Sequence, residues 1–293
     1  NEERDDMTYR LATCYLKTGN VKEAAIWFET LRSTSKKYVA DCTYYLSYIR
    51  YTQQRYDDAL TGFLSLQDNE KYKALVPYYI AEIYLIKKNY DKAEIVAQNY
   101  LSAYPNNEYT AEMYRVLGDA DYHFGKYHEA MGAFEKYLAN NKEEAPRRDA
   151  LYMLGLSYYH SGVYTKAANT LGEVATGNDA LSQNAYLHMG LSYLQMGDKN
   201  KARMAFEQAS ASNANMQIKE QAAYNYALCI HETSYSAFGE SVTVFEKFLN
   251  EFPNSQYVDK VSSYLVEVYM NTRSYEAALK LSLIHISEPT RHS

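Results

Sequence analysis

The chain has 293 residues, of which 47% are apolar and 23% are charged, and its formal net charge is −6 at pH 7. This slightly acidic balance argues against nucleic acid as a partner, because phosphate binding needs a basic surface. No run approaches about 18 consecutive apolar residues, so we expect no membrane-spanning helix. The three cysteines have no CxxC spacing and provide neither a zinc site nor a disulfide framework.

A repeated unit runs along the chain. The segments GNVKEAAIWFETL (19–31), GKYHEAMGAFEKYL (125–138) and GDKNKARMAFEQA (197–209) each place an alanine five residues after a glycine and a phenylalanine four residues later. With that position as an anchor, successive units are 34–39 residues apart. A period of this length predicts stacked helical or strand units. The anchors are Ala24, Ala59, Ala93, Ala130, Ala167, Ala202, Ser241 and Ala278.

Each unit contains two helical patterns. Upstream of every anchor, apolar residues recur at spacings of three and four, which indicates one face of a helix, helix A. A glycine at 125, 162 or 197 then predicts a left-handed helix end, and the anchored helix, helix B, follows. The predicted units start near residues 5, 40, 74, 111, 148, 183, 220 and 259, and the last unit is truncated.

The residues at fixed offsets within the units point to a family. In repeat four these residues are Tyr114, Leu117, Gly118, Gly125, Tyr127, Ala130 and Phe134. The set resembles the tetratricopeptide repeat (TPR), and the resemblance covers residues 5–280. It implies an all-α fold, an α-α superhelix or TPR solenoid of antiparallel helical hairpins, with 1–280 as one array. Close approach of helices A and B predicts that Gly118 and Ala130 face each other.

Repeat seven departs from the pattern. Ser241 replaces the anchor alanine, and about two extra residues lengthen the turn HETSYSAFGES before it. We expect that turn to protrude near Phe238. We also expect Ser241→Ala to be neutral or stabilising, because it restores the residue of the repeat.

The connections between two pairs of units share an aromatic-Pro-Asn-x-x-Tyr motif, at 104–109 and 252–257. Proline stops helix B, and asparagine caps the next helix. The motif resembles bacterial cell-envelope repeat proteins, the BamD-like assembly lipoproteins and the Tol–Pal-associated periplasmic proteins. An ordinary turn between repeats is the alternative explanation. The resemblance implies a periplasmic or cell-envelope setting.

The last segment, LSLIHISEPTRHS (281–293), abandons the repeat in the middle of a helix. Its first eleven residues resemble a translated sequencing-library adapter, the transposase mosaic end with its flank. We therefore expect 281–293 to be a non-native artefact, which makes the chain a fragment of a longer repeat protein.

Signals for an enzyme are weak. The segments STSK (33–36) and KTG (17–19) occur in the wrong order for a penicillin-type serine enzyme, and no GxGxxG, P-loop or HExxH occurs. His123 and His160 share one repeat position, but no third ligand accompanies them, so we expect surface residues and no metal. We predict no catalytic site and no cofactor.

The second face of helix A contains the candidate binding residues. The resemblance implies that helix A lines the concave surface, and four positions of each unit form one stripe along it. Tyrosine and leucine dominate this stripe, and a few mid-helix acids lie between them. Packing between neighbouring A helices is the alternative explanation for some tyrosines. The candidate groove residues are Tyr44, Tyr48, Tyr51, Tyr78, Glu82, Arg115, Asp119, Tyr122, Tyr152, Tyr159 and Tyr224.

Together these patterns predict a non-catalytic scaffold that binds a peptide or protein segment in a Tyr/Leu-lined groove. Apolar anchors and some basic residues are expected in the partner, because the groove is apolar and contains acids. The setting implied by the connecting motif is a bacterial cell-envelope assembly. Two alternatives stay open: a cytoplasmic adaptor of the same architecture, or the docking arm of a larger enzyme or signalling protein.

Overall fold

The computed structural model describes residues 1–234, 239–271 and 279–284. Within these ranges the chain forms α-helices joined by turns, without a β-strand, so the all-α expectation is confirmed. The helices are α1 (Glu2–Lys17), α2 (Val21–Thr34), α3 (Val39–Thr52), α4 (Tyr56–Ser65), α5 (Val76–Ile86), α6 (Tyr90–Ala103), α7 (Thr110–His123), α8 (Tyr127–Asn140), α9 (Arg148–His160), α10 (Tyr164–Val174), α11 (Ala180–Gln195), α12 (Lys199–Ala211), α13 (Met216–Thr233), α14 (Gly239–Glu251) and α15 (Val258–Asn271).

The helices pair into hairpins, with odd-numbered helices as helix A and even-numbered helices as helix B. Two compact units contain them: Asn1–Pro146 holds α1 to α8, and Arg147–Ser293 holds α9 to α15. In the first unit, helix A of one hairpin also contacts helix A of the next, as α5 does with α7. In the second unit, α11 contacts both α9 and α13. Each unit thus buries a core that a single hairpin could not close.

The hairpin turns that lie within residues 1–234 share one backbone conformation. Gly125, Gly162 and Gly197 have φ values of 74°, 77° and 78°, which confirms the predicted left-handed helix ends. At the corresponding position of two other hairpins, Gln54 and Lys88 adopt φ values of 61° and 58°. Left-handed backbone is unfavourable for these side chains, so the hairpin geometry is retained at a local cost.

The contact between helices A and B depends on a glycine and a large side chain. A Cβ atom added at Gly118 would lie 3.0 Å from the Phe134 ring. At Gly190 a Cβ would lie 2.5 Å from the ring of Phe206. The Phe134 ring, four residues beyond the anchor Ala130, therefore packs directly against Gly118.

Buried polar side chains connect hairpins in the second unit. The amide nitrogen of Gln183, a residue only 1% exposed, donates to the carbonyl oxygens of Ala209 and Ser212 at 3.1 and 2.8 Å. Its amide oxygen accepts from the backbone nitrogen of Asn215 at 2.8 Å. These bonds satisfy carbonyl groups near the end of α12 that have no partner within their own helix.

Repeat seven has a partner for its unusual anchor. Ser241 is buried, and its Oγ lies 3.0 Å from Nδ1 of His231. The repeat pattern did not predict this contact. Phe238, Ala278 and residues 285–293 lie outside the described residues, whereas 281–284 are helical. Among the described helices, none is long and apolar enough to cross a membrane.

Candidate functional site

Three candidate tyrosines of α3 surround a residue that the sequence analysis missed, Tyr79 of α5. The ring centroids of Tyr44, Tyr48 and Tyr51 lie 6.3, 6.1 and 5.3 Å from that of Tyr79. Tyr79 in turn stacks on Phe63 of α4 at 4.8 Å with an interplanar angle of 6°. All three α3 tyrosines are partly buried. We call these four tyrosines and Phe63 the aromatic cluster.

Some candidate tyrosines have a structural role at the repeat junctions. A tyrosine of helix A stacks on the tyrosine that lies just before the next helix A. The ring centroids of Tyr44 and Tyr72 are 4.7 Å apart, and those of Tyr78 and Tyr109 are 5.2 Å apart. Such stacks add stability beyond their buried area. The other two stacked pairs are Tyr9 with Tyr38 and Tyr224 with Tyr257.

Hydrogen bonds strengthen two of these junctions. The hydroxyl group of Tyr38 donates to Asp6 of α1, and that of Tyr72 donates to Asp41 in the first turn of α3. Hydrogen bonding to Tyr38 lowers the pKa of Asp6 below its ordinary value. At Asp41 the helix dipole is therefore only one of the interactions that favour an acid.

Burial raises the pKa of three candidate tyrosines. Desolvation raises the pKa of Tyr44, Tyr78 and Tyr224 above the ordinary value of 10.0. Their hydroxyl groups therefore stay protonated at neutral pH and can donate a hydrogen bond.

A buried ion cluster lies beside the aromatic cluster. Arg115 of α7 is 4% exposed, and its guanidinium group donates to Glu82 of α5. Its Nε atom also donates to Glu112 Oε2 at 2.7 Å. Two carboxylates against one guanidinium leave a formal charge of −1. Because Glu82 is only 9% exposed, a ligand would interact with the net charge of the ion cluster rather than with this carboxylate alone.

The remaining two candidates of the first unit lie at the end of α7. Asp119 Oδ1 is 3.0 Å from His123 Nδ1, and the ring centroid of Tyr122 is 5.5 Å from that of Tyr127. Both candidate side chains are partly buried. They lie on the same helix as Arg115 and one to two turns further along it.

The candidates of the second unit do not form one cluster. Tyr152 accepts a hydrogen bond from Asn184 of α11. The Tyr159 ring is 5.0 Å from the His188 ring, edge to face. Tyr224 is 8% exposed and stacks on Tyr257 at 4.0 Å. The first unit is therefore the stronger candidate for a binding face.

One of the missed signals was present in the sequence. Tyr38, Tyr72, Tyr109 and Tyr257 each lie two residues before a predicted unit start, so their junction role could have been found from spacing. Tyr79 carries no such signal, because it immediately follows Tyr78 and only the rotation of α5 decides which ring meets α3. Among the described residues, no group of three or more His, Cys, Asp or Glu side chains could hold a metal ion.

Comparison with known proteins agrees with this architecture. The family model of anaphase-promoting complex, cyclosome, subunit 3 matches residues 123–209. A TPR repeat-containing protein of Methanocaldococcus jannaschii is 24% identical over 304 aligned positions, which include 95% of this chain and 50% of that protein. The chain thus spans about half the length of this curated relative.

Solved structures share the fold. The C-terminal part of a TPR repeat-containing protein from Cytophaga hutchinsonii gives a TM-score of 0.58 at 17% identity, covering 83% of this chain and 95% of that one. The chain has the tetratricopeptide repeat fold. A second match, YrrB, described as a TPR protein with an unusual peptide-binding site, gives a TM-score of 0.55 at 16% identity. That match covers 67% of this chain and 97% of YrrB.

Proposed function

We propose that this TPR chain is a non-catalytic scaffold that binds a peptide or protein segment on the helix A face of its first unit. The aromatic cluster is the observation that carries the proposal. Tyr48 and Tyr51 are partly exposed and contact Tyr79, which is fixed by its stack on Phe63. Rigid aromatic rings supply contact area at low entropic cost, and such side chains usually dominate binding.

The charge beside the cluster favours a ligand with some basic residues. The Glu82–Arg115–Glu112 group has a formal charge of −1, and Asp119 lies one turn beyond Arg115 on α7. A Lys or Arg side chain near these groups gains a favourable interaction that salt weakens. The proposed ligand is therefore an extended or helical segment with apolar anchors and at least one basic residue. YrrB, which shares the fold, is itself described as having a peptide-binding site.

The test separates binding tyrosines from junction tyrosines. Peptides selected from a random display library on the full chain are measured by fluorescence anisotropy. The double variant Tyr48→Ala, Tyr51→Ala should weaken their binding tenfold or more, about 1.4 kcal/mol. Tyr224→Ala is the control, because that ring belongs to a repeat junction of the second unit.

Two results would contradict the proposal. If the double variant remains helical by circular dichroism and binds every selected peptide like the wild type, the aromatic cluster is not the binding face. If selected peptides are uniformly acidic, the charge argument is wrong. The cell-envelope setting rests on the aromatic-Pro-Asn motif and stays a prediction; fractionation of cells that produce the full-length gene product would test it.

A further inference from the structure

Part of the aromatic cluster recurs in the second unit with a histidine at its centre. Tyr159 lies eight residues before its anchor alanine, as Tyr51 does, and His188 lies fourteen residues before its anchor, as Tyr79 does. The ring centroids of Tyr51 and Tyr79 are 5.3 Å apart at an interplanar angle of 76°. Those of Tyr159 and His188 are 5.0 Å apart at 83°. The same edge-to-face contact between neighbouring A helices therefore occurs in both units.

A second ring contact recurs with it. Tyr159 also meets Tyr164, the first residue of α10, at a centroid distance of 5.9 Å and an angle of 66°. In the first unit Tyr51 meets Tyr56, the first residue of α4, at 5.8 Å and 73°. We call Tyr159, Tyr164 and His188 the imidazole cluster.

The central ring of the imidazole cluster is fixed differently from that of the aromatic cluster. Tyr79 stacks on Phe63, whereas the repeat position of Phe63 in the second unit contains the buried Leu171. His188 Nδ1 instead lies 2.9 Å from the carbonyl oxygen of Asn184. Because a carbonyl oxygen can only accept, Nδ1 carries the proton and donates it, and Nε2 is the acceptor of the neutral ring.

This acceptor is available to a ligand. Among the described residues, His188 Nε2 has no hydrogen-bond partner, and solvent reaches it. His188 and Tyr159 are partly exposed, and the neighbouring His160, whose ring centroid is 6.3 Å from that of His188, is exposed. Burial lowers the pKa of His188, which keeps the ring neutral at pH 7. A single polar atom within an apolar surface typically fixes the orientation of a ligand.

The surroundings of the imidazole cluster are uncharged. In the second unit the three repeat positions of the ion cluster contain Leu191, Gln221 and Tyr224. Within the described part of the chain, burial, the Asn184 carbonyl group and His160 determine the pKa of His188, and no carboxylate contributes. A basic side chain therefore gains no ion pair beside this ring. A neutral hydrogen-bond donor attached to an aromatic ring matches both the acceptor and the apolar surface around it.

We propose that the imidazole cluster is a second subsite, which binds an uncharged segment through a tyrosine or tryptophan side chain. The ring of that side chain packs against Tyr159, and its O–H or N–H group donates to His188 Nε2. This subsite rests on the function proposed above, because it takes edge-to-face rings on the helix A face as a binding surface. Its ligand class is different, since the aromatic cluster favours a segment with a basic residue.

The probes are peptides selected on the full chain from a random display library and measured by fluorescence anisotropy. We expect a class of peptides that contain Tyr or Trp and lack Lys and Arg. Tyr159→Ala and His188→Ala should each weaken binding of this class about tenfold or more. His123→Ala is the control and should bind like the wild type, because it removes a helix A histidine of the first unit that stacks on Tyr90.

A double-mutant cycle isolates the hydrogen bond. His188→Phe keeps an aromatic ring and removes the acceptor, and replacing the tyrosine of a selected peptide by phenylalanine removes the donor. Either change alone should weaken binding about threefold or more. In His188→Phe the two peptides should bind equally, because the interaction between donor and acceptor is already lost. Circular dichroism checks that each variant is folded, and the His188→Phe cycle remains the test if Tyr159→Ala unfolds.

Four outcomes would overturn the proposal. No uncharged class is selected; His188→Ala weakens that class no more than His123→Ala does; His188→Phe keeps the wild-type preference for the tyrosine peptide; or the double variant Tyr48→Ala, Tyr51→Ala loses the uncharged class, which would assign these peptides to the first unit. If the double variant leaves the basic class unchanged while His188→Ala abolishes binding of the uncharged class, the function proposed for the first unit fails and the second subsite stands.

Discussion

Asp121 should make the folded state less stable as the pH rises. It lies on α7 at the position where other units have a tyrosine, such as Tyr84 and Tyr158, and it is 5% exposed. Burial and a hydrogen bond with Glu94 raise its pKa from 3.8 to about 7. Lys126 acts in the opposite direction, and Glu129 adds to the rise. The pair can share one proton, and both carboxyl groups ionise together only at a cost.

The sign follows from proton binding. Because the pKa of Asp121 is higher in the folded state, the folded state binds more protons between about pH 4 and pH 7, so the free energy of unfolding falls as pH rises through that window. A shift to about 7 corresponds to a loss of at most about 3 kcal/mol between about pH 5 and pH 8. Solvent reaches the pair, since the side chains of Glu94 and Lys126 are 16% and 49% exposed. We therefore expect a loss of about 1–2 kcal/mol.

Asp121→Asn is the perturbation that isolates this effect. The amide keeps the shape of the side chain and can donate to the Glu94 carboxylate at any pH. Urea unfolding of both proteins is followed by circular dichroism at about pH 5 and pH 8. For each protein we take the change in the free energy of unfolding between the two pH values, and comparing the two changes removes the contribution of other titrating groups. His160 and His188 are among them, because burial lowers their pKa and makes them act in the opposite direction. The variant should be more stable than the wild type at pH 8 and lose this advantage at pH 5. Equal pH dependence in both proteins would refute the shared proton.

Two further predictions concern the hairpins. Lys88→Gly should raise the free energy of unfolding by about 0.5–1 kcal/mol, because it relieves left-handed backbone at φ 58°, whereas Gly125→Ala should lower it by a similar amount. Urea unfolding measures both, and a destabilised Lys88→Gly would mean that the turn has no strain to release. Ser241→Ala should cost about 1 kcal/mol, because it removes the hydroxyl that lies 3.0 Å from His231 Nδ1. In a His231→Phe background, Ser241→Ala should lower the free energy of unfolding only slightly. An equal loss in that background, or a Ser241→Ala variant that is more stable than the wild type, would exclude the hydrogen bond.

The fold was predictable because its determinants are local and repeated. The anchor alanines, the glycines of the hairpin turns and the spacing of apolar residues in helix A each require nothing beyond one hairpin. Ser241 shows the limit. Because serine replaces alanine there, the sequence suggested that Ser241→Ala would not lower stability. The neighbouring His231, however, is specific to that unit, and no repeat pattern contains it.

The candidate face was harder to predict because one residue type performs two tasks in it. A tyrosine buries a large ring and keeps a polar group, so the same side chain suits a repeat junction and a binding surface. Periodicity placed Tyr44, Tyr48 and Tyr78 in one stripe without distinguishing these tasks. The distinction comes from the following unit: Tyr72 and Tyr109 stack on Tyr44 and Tyr78, whereas Tyr48 meets the Tyr79 ring edge to face. Under the proposed function, Tyr48 and Tyr51, which both meet Tyr79, are the residues on which a ligand would depend.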